Sequence, residues 1–275
     1  MEFEFLTATE LSSDDGPVNK MKCETCKHSD LESFGAYLAS LSSPVDSFLE
    51  DHILESQFHR IVNEGQEIGS FAIHNGSLLT QFHIVGRARR YGQEVFSDVL
   101  RQHKPEAAFV PTCDEFFLSH ALDRYADLMK QALFFIDGGQ PIDSTAAASP
   151  KVDYRPAAQS DIPSIKAMSG TFVDDPEGSI SRHEIHVGHL NDKLVAIGLI
   201  VQSRLWENQA SIGMFTCEAH RRQSIGTRTV LYLKHVCRSC GITPLAGCGY
   251  GNTNSQLTLQ AAGMVTVTRL LRFTF

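Results

Sequence analysis

At 275 residues the chain has room for one large domain or two modest ones. Its 24 basic side chains against 32 acidic ones leave a formal net charge of −8, which argues against a protein that holds nucleic acid through its phosphates. Hydrophobic residues at 42% suffice for a packed core, and a charged fraction of 20% is too low for a disordered chain.

The first residues, Met1 to Leu6, lack the basic start and apolar run of a secretory signal. No stretch of 18 apolar residues occurs, so no transmembrane helix is expected. Seven cysteines, an odd count, fit a cytoplasmic chain with reduced thiols better than a disulfide framework. A first CxxC, Cys23-Glu-Thr-Cys26, is followed by His28 in a polar stretch. Ser43-Pro44 reads as the start of a helix running to about Val62, with proline in its first turn. Strands at Glu67 to Ile73 and Leu78 to Val85 flank the turn His74-Asn-Gly-Ser77, a strong hairpin signal. A polar loop with an arginine pair, Gly86-Arg-Ala-Arg-Arg-Tyr-Gly92, leads into a helix to about His103. Ala107 to Val110 reads as a strand, Asp114 as a helix cap and Ala132 to Ile136 as a closing strand.

Residues 138–150, rich in glycine, proline, serine and alanine, have the composition of a linker. Beyond them Val152 to Pro156 is a short strand, and Asp161 is placed to cap a helix through about Met168. Glu184 to Leu190 and Leu194 to Val201 form a hairpin about Asn191-Asp192, with Ala210 to Cys217 as a third strand. The loop Glu218 to Gly226 then opens a helix to about Cys240. In that helix Val230, Leu233, Cys237 and Cys240 share an apolar stripe, which predicts both thiols of the second CxxC to be buried. A strand at Ile242 to Cys248, a helix from Asn254 to Ala262 ended by Gly263, and an extended tail from Val265 to Phe275 complete the chain. The same order of elements occurs twice, the mark of an internal duplication. The two CxxC pairs lie more than 200 residues apart, far beyond the usual spacing of a zinc site, so no metal is expected and a zinc-bridged structural protein is the least favoured reading.

The segment His220-Arg-Arg-Gln-Ser-Ile-Gly-Thr227 carries the chemistry. A helix start presents unpaired backbone N–H groups and partial positive charge, a site for phosphate that gains from small residues and flanking arginines. Arg221, Ser224 and Gly226 resemble the signature of the GNAT superfamily of acyl-CoA-dependent N-acyltransferases, with serine in place of its first glycine. Asn252-Thr-Asn-Ser255 and Ala262-Gly-Met264 are similar to that family's later Asn…Gly-Phe segment. The resemblance implies an α/β (α+β) fold with a mixed sheet: tandem GNAT-like domains, each a mostly antiparallel, splayed sheet flanked by helices. Their expected bounds are 1–137, the linker 138–150, and 151–275.

It implies further that backbone N–H groups from Arg222 through Gln223, Ser224, Ile225 and Gly226 to Thr227 cradle the pyrophosphate of acetyl-CoA, with Arg221 and Arg222 adding charge. The strand end Met214-Phe215-Thr216 would pair with the pantetheine amides, and Asn252 and Asn254 would lie beside that arm. The family's usual acid tyrosine has its counterpart at Leu259; Tyr250 is the substitute, and Glu184, or the adjacent His183 and His186, the candidate base. Asp174, Asp175 and Glu177 are candidates for holding a cationic acceptor. In the first half Arg89, Gly92 and Glu94 fall opposite Arg221, Ser224 and Gly226, and a carboxylate there repels pyrophosphate. That half is therefore expected to be degenerate and without CoA. The partners expected are a CoA thioester and an amine, small molecule or protein, with no nucleic acid and no membrane. Two readings follow, an acetyltransferase moving acetyl to a primary amine in a ternary complex and a catalytically silent acyl-CoA sensor.

Overall fold

Two hairpins set the frame of the molecule, which a computed structural model describes over residues 21–139 and 151–275. Of the expected linker only Gly138 and Gly139 lie among these. Strands β3 (Gln66–His74) and β4 (Leu78–Ile84) meet through Asn75 and Gly76 at φ +47° and +74°. Strands β8 (Ile185–Leu190) and β9 (Lys193–Gln202) meet through Asn191 and Asp192 at φ +49° and +62°. Left-handed backbone at both central residues suits the twist of the flanking strands, and asparagine, aspartate and glycine tolerate it.

The remaining elements of the first half are β1 (Lys22–Cys26), α1 (Phe34–Ser40), α2 (Ser47–Leu54), β2 (Gln57–Asn63), α3 (Gly92–His103), β5 (Ala107–Pro111), α4 (Glu115–Leu122) and β6 (Asp127–Asp137). Those of the second are β7 (Asp153–Pro156), α5 (Ile162–Ser169), α6 (Pro176–Ser181), β10 (Gln209–Thr216), α7 (Ile225–Ser239), β11 (Thr243–Gly249), α8 (Thr253–Ala261) and β12 (Met264–Thr274).

Several expectations are corrected. The helix read from Ser43 to Val62 is only the eight residues of α2, capped by Asp46, whose Oδ1 accepts the Leu49 N–H at 3.2 Å. Residues 57–63 are instead β2, because the edges of β1 and β3 on either side claim their backbone groups. β1 and α1 carried no sequence signal. Asp161 does not cap α5; its carboxylate accepts from the Ala158 N–H and both Arg155 guanidinium nitrogens, which hold it down at about 2. Asp114 does cap α4, through the Phe117 N–H at 3.0 Å. Cys237 is buried but Cys240 is exposed, since α7 ends at Ser239 and the chain turns away at Gly241, φ +72°.

Among the described residues all twelve strands join one sheet, in the order β1-β2-β3-β4-β5-β12-β6-β11-β10-β9-β8-β7. It is antiparallel except at β4–β5 and β10–β11, the corresponding pairs of the two halves. The last strands are exchanged. β12 of the second half lies against β5 of the first, and β6 of the first lies against β11 of the second. The two exchanged strands pair with each other along nearly their full length.

Apolar side chains follow the backbone. Phe273 of β12 is fully buried among Phe71, Phe82, Phe96 and Phe117 of the first half. Leu133 and Phe135 of β6 are buried with Val230, Leu233 and Ala246 of the second. Across the junction Glu50 of α2, 2% exposed, accepts from Ser203 Oγ and the Arg204 N–H, both at 2.5 Å.

Phe273→Ala is expected to cost about 3–5 kcal/mol, the range for deleting a buried phenyl ring. The loss should appear in the urea midpoint and as faster amide exchange in β3 and β4. A loss of protection confined to the second half would contradict the exchange of strands.

Candidate functional site

β10 and β11 are paired only at Gln209↔Thr243, Ala210↔Pro244 and Ser211↔Leu245. Beyond these β10 stays with β9 as far as Thr216↔Ala196, and β11 stays with β6 as far as Gly249↔Ala132. The facing edges, 212–216 and 246–249, therefore diverge with no ladder between them, leaving backbone donors and acceptors turned to the gap. Met214, Phe215 and Thr216 on that edge are half-buried.

The gap opens onto the start of α7. Arg222 and Ser224 sit at φ +63° and +60°, flanking Gln223, and the first bond of the helix runs from the Arg228 N–H to the Ser224 carbonyl at 3.0 Å. Among the described residues none accepts from the backbone N–H groups of Arg222 to Thr227. Left-handed residues in such a turn gather N–H groups into a concavity for anions, here at the positive end of a fifteen-residue helix.

Gly226 is tightly enclosed: a Cβ there would lie 3.2 Å from Thr258 Cγ2 and 3.3 Å from Thr216 Oγ1. The helix start, the end of β10 and α8 thus converge on one point. Arg221, Arg222 and Gln223 are exposed, and Arg221 Nε reaches the Thr216 carbonyl at 3.4 Å.

The other sequence candidates are more scattered. Asn252 Oδ1 accepts the Ser255 N–H at 3.2 Å and so caps α8, while the Asn254 carbonyl accepts from Thr258 Oγ1. Tyr250 follows the end of β11; Lys130 Nζ donates to its hydroxyl at 3.2 Å and lies 4.8 Å from its ring centre. Leu259 is buried, 4% exposed. Glu184 is gripped by Arg182 through two bonds of 2.9 and 3.0 Å. Its carbonyl accepts from Ile200 of β9, which in turn pairs with Ile212, so it stands two strands, about 10 Å, from β10. His183 is exposed, whereas His186 is buried against the Tyr232 hydroxyl, and burial lowers its pKa. Asp175 caps α6, Glu177 pairs with Lys166, and Asp174 is exposed.

The first half has the same splay with a different filling. β4 and β5 pair only at Leu78↔Ala107 and Leu79↔Ala108. Residues 86–91 wind into a 3-10 turn whose Ala88 N–H is spent on the Val85 carbonyl, with the Gly92 N–H on that of Arg89. A Cβ on Gly92 would come 2.5 Å from His120 Nε2 and 2.9 Å from Phe116 Cζ, so α4 sits on the start of α3. β4 is buried from Leu79 to Ile84, and the Arg89 guanidinium lies 5.3 Å from the centre of the Phe116 ring.

Cys23 and Cys26 lie on the edge strand β1 and Cys237 and Cys240 at the end of α7; among the described residues no three His, Cys, Asp or Glu side chains cluster to hold a metal. No described helix is long and apolar enough to cross a membrane. Sequence reading missed Asp46, Ser211 and Gly247, which meet at the divergence of β10 and β11. Nothing local ties Asp46 to residues some 165 to 200 positions away.

Residues 27–138 match the family of the acetyltransferase (GNAT) domain. The match falls on the half whose arginine loop departs furthest from the signature. No curated protein matches the chain. Among solved structures, a GNAT-family acetyltransferase from Colwellia psychrerythraea is similar with a TM-score of 0.81 at 20% identity, over 92% of this chain and 99% of its own. A tandem GNAT protein from the clavulanic acid biosynthesis pathway has a TM-score of 0.58 at 12% identity, over 93% of this chain and 98% of its own. A GCN5-related N-acetyltransferase from Sphaerobacter thermophilus has a TM-score of 0.63 at 11% identity, over 93% and 96%. The fold is thus the tandem GNAT fold.

Ser224→Gly should remove the cost of a side chain in left-handed backbone, about 1 kcal/mol. The thermal midpoint is expected to rise by a few degrees with the loop shape kept. A lower midpoint would show that the serine hydroxyl holds the turn.

Proposed function

We propose that this chain, whose residues 27–138 match the acetyltransferase (GNAT) domain family, transfers an acetyl group from acetyl-CoA to a primary amine by direct attack in a ternary complex, with the thioester held by its second half. The observation that carries this reading is the open β10–β11 gap ending at a helix start with unspent N–H groups. The N–H groups of Arg222 to Thr227 bind the pyrophosphate, and the side chains of Arg221 and Arg222 add charge-assisted contacts. The backbone of Met214 to Thr216 pairs with the pantetheine amides as an added strand would. Asn252 and Asn254, where α8 begins, flank that arm. Acetyl-CoA supplies the activated acyl carbon, and an inward N–H of the splayed β10 edge stabilises charge on its carbonyl oxygen.

Tyr250, at the end of β11, is the proton donor proposed for the departing sulfur. Its role is modest, because a thiol with a pKa near 8.5 leaves as thiolate with little help. The first half serves as a wall: the Gly92 N–H, opposite that of Ser224, is spent on the Arg89 carbonyl, and α4 fills the space over α3. Its match to the family reflects the whole domain core, whereas anion binding depends on one short loop.

With acetyl-CoA saturating, amide exchange should slow across residues 222–227 and stay unchanged across 86–92. Arg221→Gln combined with Arg222→Gln should weaken acetyl-CoA binding by 1.5 kcal/mol or more, about tenfold, in calorimetry. Free thiol should accumulate with at least one member of a primary-amine panel. Tight binding without turnover on any amine would instead favour the silent sensor, a reading to which the buried Leu259 lends weight. Equal protection of both arginine loops would overturn the division of labour between the halves.

A further inference from the structure

Resting on that reading, we infer that Asp46 of the first half is the proton acceptor of the second half's site, and that the acceptor is a primary ammonium compound entering through a cleft lined by both halves. α2 straddles the point where β10 and β11 part. The Ser47 N–H donates to Ser211 Oγ at 2.8 Å, on the last β10 residue paired with β11. The preceding Asp46 lies against the opposite arm. A Cβ on Gly247, in the diverging part of β11, would fall 1.7 Å from Asp46 Oδ2 and 2.7 Å from its Cγ. Only a glycine leaves room there for the carboxylate.

Asp46 is 8% exposed, and its Oδ1 is spent on the cap of α2. Its Oδ2 lies against Gly247, on the diverging arm of β11 at the edge of the gap. Glu184 differs on each count, being held by Arg182 and set away from β10.

Along the same face of the sheet, where Leu245 and Gly247 both point, a cleft of about 380 Å³ adjoins α2. Its walls include Ser43 and Pro44 ahead of α2, Ile136 and Asp137 of β6, and Gln209 and Leu245 of the second half. Gln209 Oε1 is buried there without a partner. Asp137 is already matched by Lys234 and Arg238. Gln209 Oε1 in the cleft and the Asp46 carboxylate beside it are both acceptors, which suits a ligand that brings N–H donors and positive charge.

Burial pushes Asp46 up to about 7, a proton affinity suited to a base at neutral pH. The ionisable groups around it are Glu50 and Asp51 on α2, which raise it, Arg204, which those two hold, and Cys248 of β11, itself raised to about 11 by burial and by Asp46. In the step proposed, the ammonium gives one proton to Asp46 Oδ2 and the freed lone pair forms the N–C bond to the acyl carbon. The C–S bond then breaks with its electron pair on sulfur. Tyr250 gives its hydroxyl proton to that thiolate and regains one from the surplus N–H, and Asp46 returns its own to solvent, leaving amide and free thiol.

The test is thiol release from acetyl-CoA with n-butylamine, benzylamine, spermidine and glycinamide between pH 6 and 9.5, in the wild type, Asp46→Asn, Asp46→Ser and Glu184→Gln. Asparagine and serine both keep the helix cap, so folding is preserved. The expected result is a loss of about 10²-fold in kcat/KM for both Asp46 variants, with acetyl-CoA affinity within twofold and without the rise in rate through pH 7. Formate should restore part of the rate to Asp46→Ser and none to the wild type. Asp46→Asn within threefold of wild type at every pH, or a comparable loss in Glu184→Gln alone, overturns the assignment and leaves the transferase reading standing. A wild type that binds acetyl-CoA but acetylates no amine overturns both.

Discussion

The structure depends on the exchange of two strands at the centre of its sheet. A strand edge is a row of backbone N–H and C=O groups that must find partners once buried. The outer edge of β5 finds them on β12, and that of β11 on β6, so each half is completed by the last strand of the other. Side chains reinforce the exchange, with Phe273 filling the first core and Leu133 and Phe135 the second. The halves are consequently held in one fixed relation, not joined by a tether. Only under that constraint can α2, an element of the first half, place Ser47 and Asp46 on the two arms of the second half's gap.

Both halves inherit the same splay of a short parallel pair, and its fate differs for local reasons. In the second half, left-handed Arg222 and Ser224 lift the loop away from helical bonding, and its N–H groups stay unspent. In the first half the Gly92 N–H, opposite that of Ser224, is spent on the Arg89 carbonyl, and Phe116 and His120 of α4 pack onto Gly92. The contrast at the two glycines is one of neighbours: Gly226 faces small threonine atoms, Gly92 two aromatic rings. A duplicated frame is thus open at one helix start and filled at the other.

Elements governed by short-range chemistry were legible in the chain. Asparagine at both hairpins, Asp114 at its cap, the apolar stripe of α7 and the arginine loop before it all depend on neighbours within a few residues. Failures came where partners outside the expected element outvoted its internal pattern. Residues 57–63 have an acceptable helical pattern, yet the edges of β1 and β3 made them a strand. Asp161 is suited to a cap, but the Arg155 guanidinium and the Ala158 N–H claim it first. Cys240 leaves its stripe because the helix ends one residue earlier.

The same division runs through the function. Taken alone, the sequence determined the duplicated order of elements and the loop at 221–227 that opens α7, because both rest on periodicity, turn chemistry and the unpaired groups of a helix start. The tertiary structure alone decided which strand closes which half, that the first gap is filled and the second open, and that a carboxylate of the first half lies beside the second half's gap. Those outcomes rest on backbone pairing and side-chain packing between residues from about 25 to about 200 positions apart, which no local pattern encodes.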